Sequence, residues 1–379
     1  LKQKLPLICM VESGGANLMY QAEMFTDGGT IFANQAQLSA AGVPQVTVVH
    51  GSSIAGGAYM PGLSDYTVMV RKRAKVFLAG PPLLKAATGE VANDEDLGGA
   101  EMHSQVAGTS EFLAESDGDG IRIAREIVAS LDWNKNRPSF PPQLVTQPLY
   151  DTEELCGVVP VDYRKPVDSR EVIARIVDGS EFLDFKTEYD TQTICGRARI
   201  HGMPVGIISN NGPITIKGAT KAGQFMQLCD QTDIPLVFLM NTTGFMVGSE
   251  SEQGGIVKHG SKMIQAVANV SVPRITVVIG ASFGAGNYGM SGRGFRPDFI
   301  FAWPNARTAV MGGEQAAKVL DIVSREKILR EGRAPTAEEE AHLAATEAAI
   351  IKQFDRDSHP LAGTARLYDD GLIDPRDTR

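Results

Sequence analysis

The sequence predicts two α/β domains of related fold, each a spiral of strand–helix–strand turns. Three observations carry that expectation. The first is a repeat: PQVTVVHGSSIAGGAY (Pro44 to Tyr59) aligns without gaps onto PRITVVIGASFGAGNY (Pro273 to Tyr288), with Pro44, Thr47, Val48, Val49, Gly51, Ser53, Gly57 and Tyr59 matched identically. At the same offset of 229 residues, LICMVESGGA (Leu7 to Ala16) falls on LVFLMNTTGF (Leu236 to Phe245), where Leu7 and Gly15 match. Two separated blocks sharing one offset indicate duplication. The second observation is that Val46 to Val49 and Ile275 to Ile279 are short, β-branched and apolar throughout, as strands covered on both faces require. The third is the segment Asn136 to Asp151, NRPSFPPQLVTQPLYD, whose four prolines and weak periodicity read as a linker in a chain of 379 residues, too long for one ordinary core. The expected division is residues 1–140 and residues 151–379.

Each copy has the same grammar in chain order. A strand comes first, Leu5 to Met10 in copy one, followed by a polar glycine-rich turn and an amphipathic helix. A proline, a buried strand and a second glycine-rich turn complete the unit. Parallel strands joined in this way give right-handed crossovers. Before the linker, Asp117 to Leu131 is expected to be helical, with Ile121, Ile123, Ile127 and Leu131 as its apolar face; after it, Ser169 to Ile176 reads as another helix, ended by an Asp-Gly-Ser turn.

Composition narrows the function classes. A hydrophobic content of 43% with 21% charged residues describes a globular chain, and a formal net charge of -9 argues against a general nucleic-acid binder. No apolar run reaches membrane-spanning length. The four cysteines (Cys9, Cys156, Cys195 and Cys229) are far apart with no C-x-x-C pair, which argues against a structural zinc site or a disulfide framework and for a reducing compartment. The six histidines show no metal-ligand spacing, so no metal is expected. The first residue is Leu1 and a strand follows almost at once, so the chain is expected to start inside a domain.

The glycine-rich turns are the first site candidates. Small residues let the backbone turn sharply and approach a ligand. A helix beginning near Gly57 or Ala58 would aim unpaired N–H groups and the positive end of its dipole at an anion above the strand. The second copy offers the same around Ala285 and Gly286. Close strand–helix packing is the better explanation of a single such turn, but both copies keep small residues at the same place. Neither turn is a phosphate loop or a dinucleotide fingerprint. His50 ends an apolar strand where its counterpart is Ile279, a packed position. Ser13 and Thr243 sit at strand ends without a nucleophile elbow. Glu90 and Glu314 fit helix N-terminal positions. The sequence offers backbone donors and no evident general base. Arg71, Arg73 and Lys75, in VRKRAKVFLAG, form a basic exception in an acidic chain, either a solvated edge or an anchor for nucleotide phosphates.

The strings SGGANL, GGAY, FLAGPPLLKAATGE, LGGAEMHSQVAGTSE, NTTGFMVG, FGAGNYGM, WPNA and MGGEQAA resemble the β subunits of biotin-dependent acyl-CoA carboxylases, in a match running to GLIDPRDTR at the end of the chain. NTTGFMVG, GAGNYGM and WPNARTAVMGGEQAA are more similar to the 3-methylcrotonyl-CoA and geranyl-CoA branch than to propionyl-CoA carboxylases. The resemblance implies a pair of crotonase-like domains and a longer N-terminal part, with about a hundred residues upstream of this sequence. It implies that the chain is the carboxyltransferase component of an ATP-dependent ligase of leucine-degradation type. Acyl-CoA would bind on the N-terminal side and biotin, carried by a partner α subunit with biotin carboxylase and carrier domains, on the C-terminal side. Gly57 and Ala58 would form the hole for the thioester enolate, Ala285 and Gly286 the hole for the biotin ureido oxygen, and Gly244, Phe245 and Gly284 would bind the cofactor. A homo-oligomer is implied, a β hexamer within an α6β6 complex, in the bacterial cytoplasm or the mitochondrial matrix. For a 3-methylcrotonyl group the carboxyl would go to the γ carbon. Geranyl-CoA or propionyl-CoA carboxylation, and acyl-CoA decarboxylation, are the alternatives.

Overall fold

A computed structural model of the chain describes residues 5–14, 21–131, 133 and 145–379, with side chains from residue 29 onward in the first long helix. Its strands are β1 (Leu7–Ser13), β2 (Gln45–Ile54), β3 (Tyr66–Val70), β4 (Lys75–Phe77), β5 (Phe112–Ala114), β6 (Leu183–Asp184), β7 (Thr193–Ile200), β8 (Met203–Asn210), β9 (Leu236–Thr242), β10 (Arg274–Phe283), β11 (Phe299–Ala302), β12 (Arg307–Ala309) and β13 (Gly371–Leu372). They form two sheets. The first runs β1-β2-β3-β5, with β4 pairing the far end of β2; the second runs β13-β11-β10-β9-β8-β7-β6, with β12 pairing the far end of β10. Apart from the β6–β7–β8 antiparallel ladder, all pairings are parallel.

The duplication seen in sequence is reproduced in the ladders. Leu7 pairs with Gln45 and Ser13 with Ser53; at the repeat offset, Leu236 pairs with Arg274 and Thr242 with Ser282. Both ladders break register at the same place, between Val11 and Ser13 in one and between Val278 and Ser282 in the other. The apolar runs are buried as predicted: Val46, Val48, Val49 and Ile279 have no exposed surface.

Local chemistry sets the flanking helices. Ser116 accepts a hydrogen bond from the Asp119 N–H and caps the helix Asp117–Ser130, whose first turn carries Asp117 and Asp119 against the dipole. Ile123, Ala124 and Ile127 face the core, and Gly120 lets this helix close on β2, since a Cβ there would lie 2.8 Å from Val48 Cγ1. Ile121 is 46% exposed, so it does not belong to the predicted apolar face; two residues from Ile123 is a strand spacing, not a helical one. The predicted second helix is present as Arg170–Ile176, burying Val172, Ile173 and Ile176. Of the Pro-rich segment, residues 145–151 carry no helix or strand, and the rest lies outside the described residues.

One buried core joins the halves: Val46, Val48, Val68 and Ile127 belong to the same cluster as Phe225, Phe238 and Met240. Polar groups cross the same junction. Buried Glu111 accepts from the Thr67 N–H at 2.6 Å and from Gln224 Nε2 at 3.0 Å, and lies 3.4 Å from the ammonium of buried Lys186. Lys186 also donates to the Gly108 carbonyl. Arg197 reaches from β7 to the Tyr66 hydroxyl and lies over its ring. All four cysteines are free thiols. No helix among the described residues is long and apolar enough to cross a membrane.

Candidate active site

Each long strand ends in a glycine-rich turn of the same conformation. Ala55 and Gly284 are equivalent in the repeat, and both take the left-handed backbone, each at φ 54°. Ala55 is strained there, whereas Gly284 is not. After this residue the chain enters a short helical stretch, Ala55–Ala58 followed by Tyr59–Gly62 in the first copy and Gly286–Gly289 in the second. Tyr59 and Tyr288 stand half-exposed at matching positions.

Glycine is required at Gly57 and Gly286 because the neighbouring strand end sits against them. A Cβ on Gly57 would lie 2.8 Å from Ser13 Oγ, and one on Gly286 would lie 2.8 Å from Thr242 Cγ2 and 2.9 Å from Gly244 Cα. Ser13 and Thr242 are themselves equivalent, so close packing is a property of both turns. Donors differ more. In the first copy the Tyr59 N–H returns to the Gly56 and Gly57 carbonyls, and Gly57 and Ala58 lie within the helical turn. In the second, the exposed Ala285 N–H meets no acceptor among the described residues, while the N–H groups of Asn287 and Tyr288 turn back onto Gly284 and Ala285. Ala285 superposes on Gly56, not on Gly57 or Ala58, because the repeat sets Gly57 over Gly286. Gly56 was not among the sequence candidates, although the offset equates it with Ala285.

The second turn opens onto a cavity of about 790 Å³ lined by Gly284, Ala285 and Tyr288, by Phe354 and Asp357 of the helix Ala337–Asp357, and by Tyr368 after the helix Pro360–Ala365. Those last three belong to no motif and were invisible to sequence analysis. Gly244 has φ 121° and its N–H donates to Thr242 Oγ1, fixing the loop after β9 beside Gly286. Phe245 is half-buried and packs against the helix Ile256–Asn269, where a Cβ on Gly260 would lie 3.1 Å from its ring.

The basic run is paired with carboxylates. Arg71 binds Glu188 at 2.7 Å, Glu115 at 2.8 Å and Glu101 at 3.2 Å; Lys75 binds Asp94 and lies 3.4 Å from Glu95. Arg73 meets Asp117 at 2.9 Å and is the most exposed of the three. Glu314 occupies a helix first turn as predicted, but Glu90 lies just past the C-terminal end of the helix Pro81–Thr88, which stops at left-handed Gly89. Among the described residues no group of three His, Cys, Asp or Glu is placed to hold a metal.

Comparison with known proteins matches the carboxyl transferase domain over residues 1–379. The chain is 49% identical, over its whole length and 72% of the relative, to the biotin-dependent 3-methylcrotonyl-coenzyme A carboxylase β1 subunit of Mycobacterium tuberculosis. It is 60% identical to the solved β subunit of geranyl-CoA carboxylase from P. aeruginosa, covering all of this chain and 70% of that one at a TM-score of 0.58. It is 34% identical to the transcarboxylase 12S subunit, solved as a hexamer with hydrolysed methylmalonyl-coenzyme A bound, covering all of this chain and 71% of that one at a TM-score of 0.88. The chain spans between 64% and 72% of the length of curated relatives at 47–54% identity. With a duplicated crotonase-like fold and a family match over its full length, this chain belongs to the carboxyl transferase domain family.

Proposed function

We infer that the chain is the carboxyltransferase component of a biotin-dependent acyl-CoA carboxylase, moving a carboxyl group from carboxybiotin on a partner chain to a 3-methylcrotonyl-type acyl-CoA at its γ carbon. The observation that carries this reading is the pair of matching turns at the ends of equivalent strands, one for each oxyanion that such a transfer needs. The relatives' names supply the substrate class. The half before the Pro-rich segment takes acyl-CoA, and the half after it takes the biotin ring.

The cavity beside Ala285 is large enough to admit a ring-sized ligand with room to spare, and the free Ala285 N–H is the donor a ureido oxygen needs, so the residues fit the cofactor. Bound there, carboxybiotin supplies the carboxyl group and, once that is released, a basic ureido nitrogen. Ala285 and Gly286 hold the ureido oxygen, with Gly244 and Gly284 keeping the loop open and Phe245 packing beneath it. On the other side Gly56, Gly57 and Ala58 face the thioester oxygen. Their dipoles favour the enolate over the neutral thioester, a preorganised effect of roughly 3–4 kcal/mol per donor. Of the basic run, Arg73 is the residue free enough to leave its surface partner for a CoA phosphate. A biotinylated α partner and a homo-oligomer complete the reading.

Geranyl-CoA is the second reading, favoured by the 60% identity to a geranyl-CoA carboxylase β subunit. The test is a carboxylation assay with the full-length β chain and its biotinylated partner across acyl-CoAs of increasing length. Activity peaking at 3-methylcrotonyl-CoA supports the first reading, and a peak at geranyl-CoA replaces it. Hydration of crotonyl-CoA by the chain without biotin would remove both.

A further inference from the structure

The repeat equates two cations that have different fates. Lys75 pairs with Ser52 across the β2–β4 ladder, and Arg307 pairs with Ala281, the equivalent of Ser52, across the β10–β12 ladder. In the first half two carboxylates, Asp94 and Glu95, satisfy the ammonium of Lys75. In the second half Arg307 makes no side-chain hydrogen bond or ion pair with any described residue, and its Nη1 has no contact with solvent. The rest of Arg307 is partly exposed, so its guanidinium keeps an open edge toward which an anion can approach while one nitrogen stays buried and unpartnered.

Arg307 lines a cleft of about 660 Å³, together with Tyr163, Arg164, Lys165, Glu314 and Asp355. Arg164 is engaged by Asp162 at 2.8 Å and by Glu314 at 2.7 Å, which leaves Arg307 and Lys165 as the uncommitted cations. Asp355 does not pair with Arg307. The helix Gly313–Arg330, 18 residues long, starts at this cleft, and its N-cap Gly312 offers no side chain to close the first turn. Open N–H donors and the positive end of the dipole therefore add to the guanidinium.

We propose that this cleft is a binding site for a small free carboxylate, held by the Arg307 fork as Lys75 is held by Asp94 and Glu95 in the first half. A planar two-oxygen anion matches the guanidinium geometry. The site lies behind the second glycine-rich turn. Arg307 is two residues before Ala309, whose carbonyl accepts the Gly284 N–H at 3.0 Å, and Tyr163 of the cleft packs edge-on against Phe283 with ring centres 5.0 Å apart. An occupant braces the strand end that presents Gly284 and Ala285.

The test is thermal unfolding of the full-length chain with malonate as the probe, against sodium chloride matched in ionic strength. Wild type should show a saturable rise in Tm with malonate. Arg307→Met should unfold at a higher temperature than wild type without ligand, because an unpaired charge is removed, and should lose the malonate response. Arg307→Lys should bind malonate about tenfold more weakly, the loss of one charge-assisted hydrogen bond. Asp355→Asn should bind it more tightly, because a repelling carboxylate is gone. No malonate-specific rise in wild type, or an unchanged response in Arg307→Met, overturns the site. So does an Arg307→Met chain that loses Tm and dissociates, since the guanidinium would then belong to a neighbouring subunit. Should Arg307→Met fail to fold, identical malonate responses in wild type, Arg307→Lys and Asp355→Asn overturn the site equally.

Discussion

The two halves carry the same unit in different surroundings. β9 is flanked by β8 and β10, so Leu236 and Leu239 are fully buried; their equivalents on β1, Leu7 and Met10, are each 42% exposed, because among the described residues β1 pairs only with β2. Backbone conformation survives this change of context, as Ala55 and Gly284 show, whereas burial and charge pairing do not. Register and turn geometry thus belong to the repeat. What each half can bind is decided by residues outside it: Asp94 and Glu95 around Lys75, the C-terminal segments around Ala285, and Tyr163, Arg164 and Glu314 around Arg307.

The largest expected effect falls on the junction that holds the halves together. Glu111→Ala leaves Lys186 buried without a carboxylate and the Thr67 and Gln224 donors unpaired, a loss of about 3–5 kcal/mol measured by denaturant unfolding. A cost below about 1 kcal/mol would mean that apolar contact and the Arg197–Tyr66 bond hold the halves without help from this cluster. Burial raises the Glu111 pKa, against the lowering influence of Lys186, Thr67 and Gln224. The folded carboxyl therefore stays protonated to higher pH than the unfolded one. Its contribution is full below the ordinary glutamate range and declines as pH rises through the folded pKa. Glu111→Gln should flatten that part of the stability profile, and an unchanged profile would assign the dependence elsewhere.

Next in size is a donor deletion that separates the two turns. Ala285→Pro removes the exposed N–H at a residue whose φ of -68° suits proline. Carboxyl transfer should fall about 10²–10³-fold, with the unfolding midpoint nearly unchanged. Gly286→Pro is not an equivalent deletion: its added atoms meet Thr242 and the Gly244 backbone, so activity and fold would be lost together. Retained transfer in a folded Ala285→Pro chain would end the backbone-donor reading of the second half.

A smaller contrast tests packing. Gly286→Ala meets the backbone of a buried loop, and Gly57→Ala meets the Ser13 side chain on an edge strand that can shift. Overpacking of this kind costs about 1–3 kcal/mol, and the upper end is expected for Gly286 and the lower for Gly57. Equal losses would show that β1 is as firmly held as β9.

What could be read in the sequence was local or periodic. The offset between Pro44 and Pro273 encodes both turns and the buried strands, and it equates Gly56 with Ala285, whereas Gly57 and Ala58 follow from the expected helix start and the family resemblance. Ile121 shows that apolar character without helical spacing to Ile123 does not place a residue on the buried face. The Glu111–Lys186 contact, the cavity wall at Phe354 and Tyr368 and the unpaired state of Arg307 depend on which distant segments meet, and no local pattern encodes that. The basic run illustrates the same limit: the sequence showed the charges of Arg71, Arg73 and Lys75, and only the fold showed the carboxylates facing them.

Those carboxylates define the smallest effect. Arg71 and Lys75 each face more than one acidic group, whereas Arg73 shares one exposed contact with Asp117, and such surface pairs contribute about 0–1 kcal/mol. Arg73→Gln should therefore leave stability almost unchanged. If Arg73 turns to a CoA phosphate, the variant should raise KM for acyl-CoA about fivefold, the effect of losing one solvent-screened phosphate contact, with kcat unaltered. A thioester lacking the terminal ribose phosphate should then show the same KM with wild type and variant, because the contact that distinguishes them is absent. An unchanged KM for both substrates would make the basic run a paired edge of the first half and nothing more. A fall in kcat would place Arg73 nearer the reacting atoms than its position beside Asp117 allows.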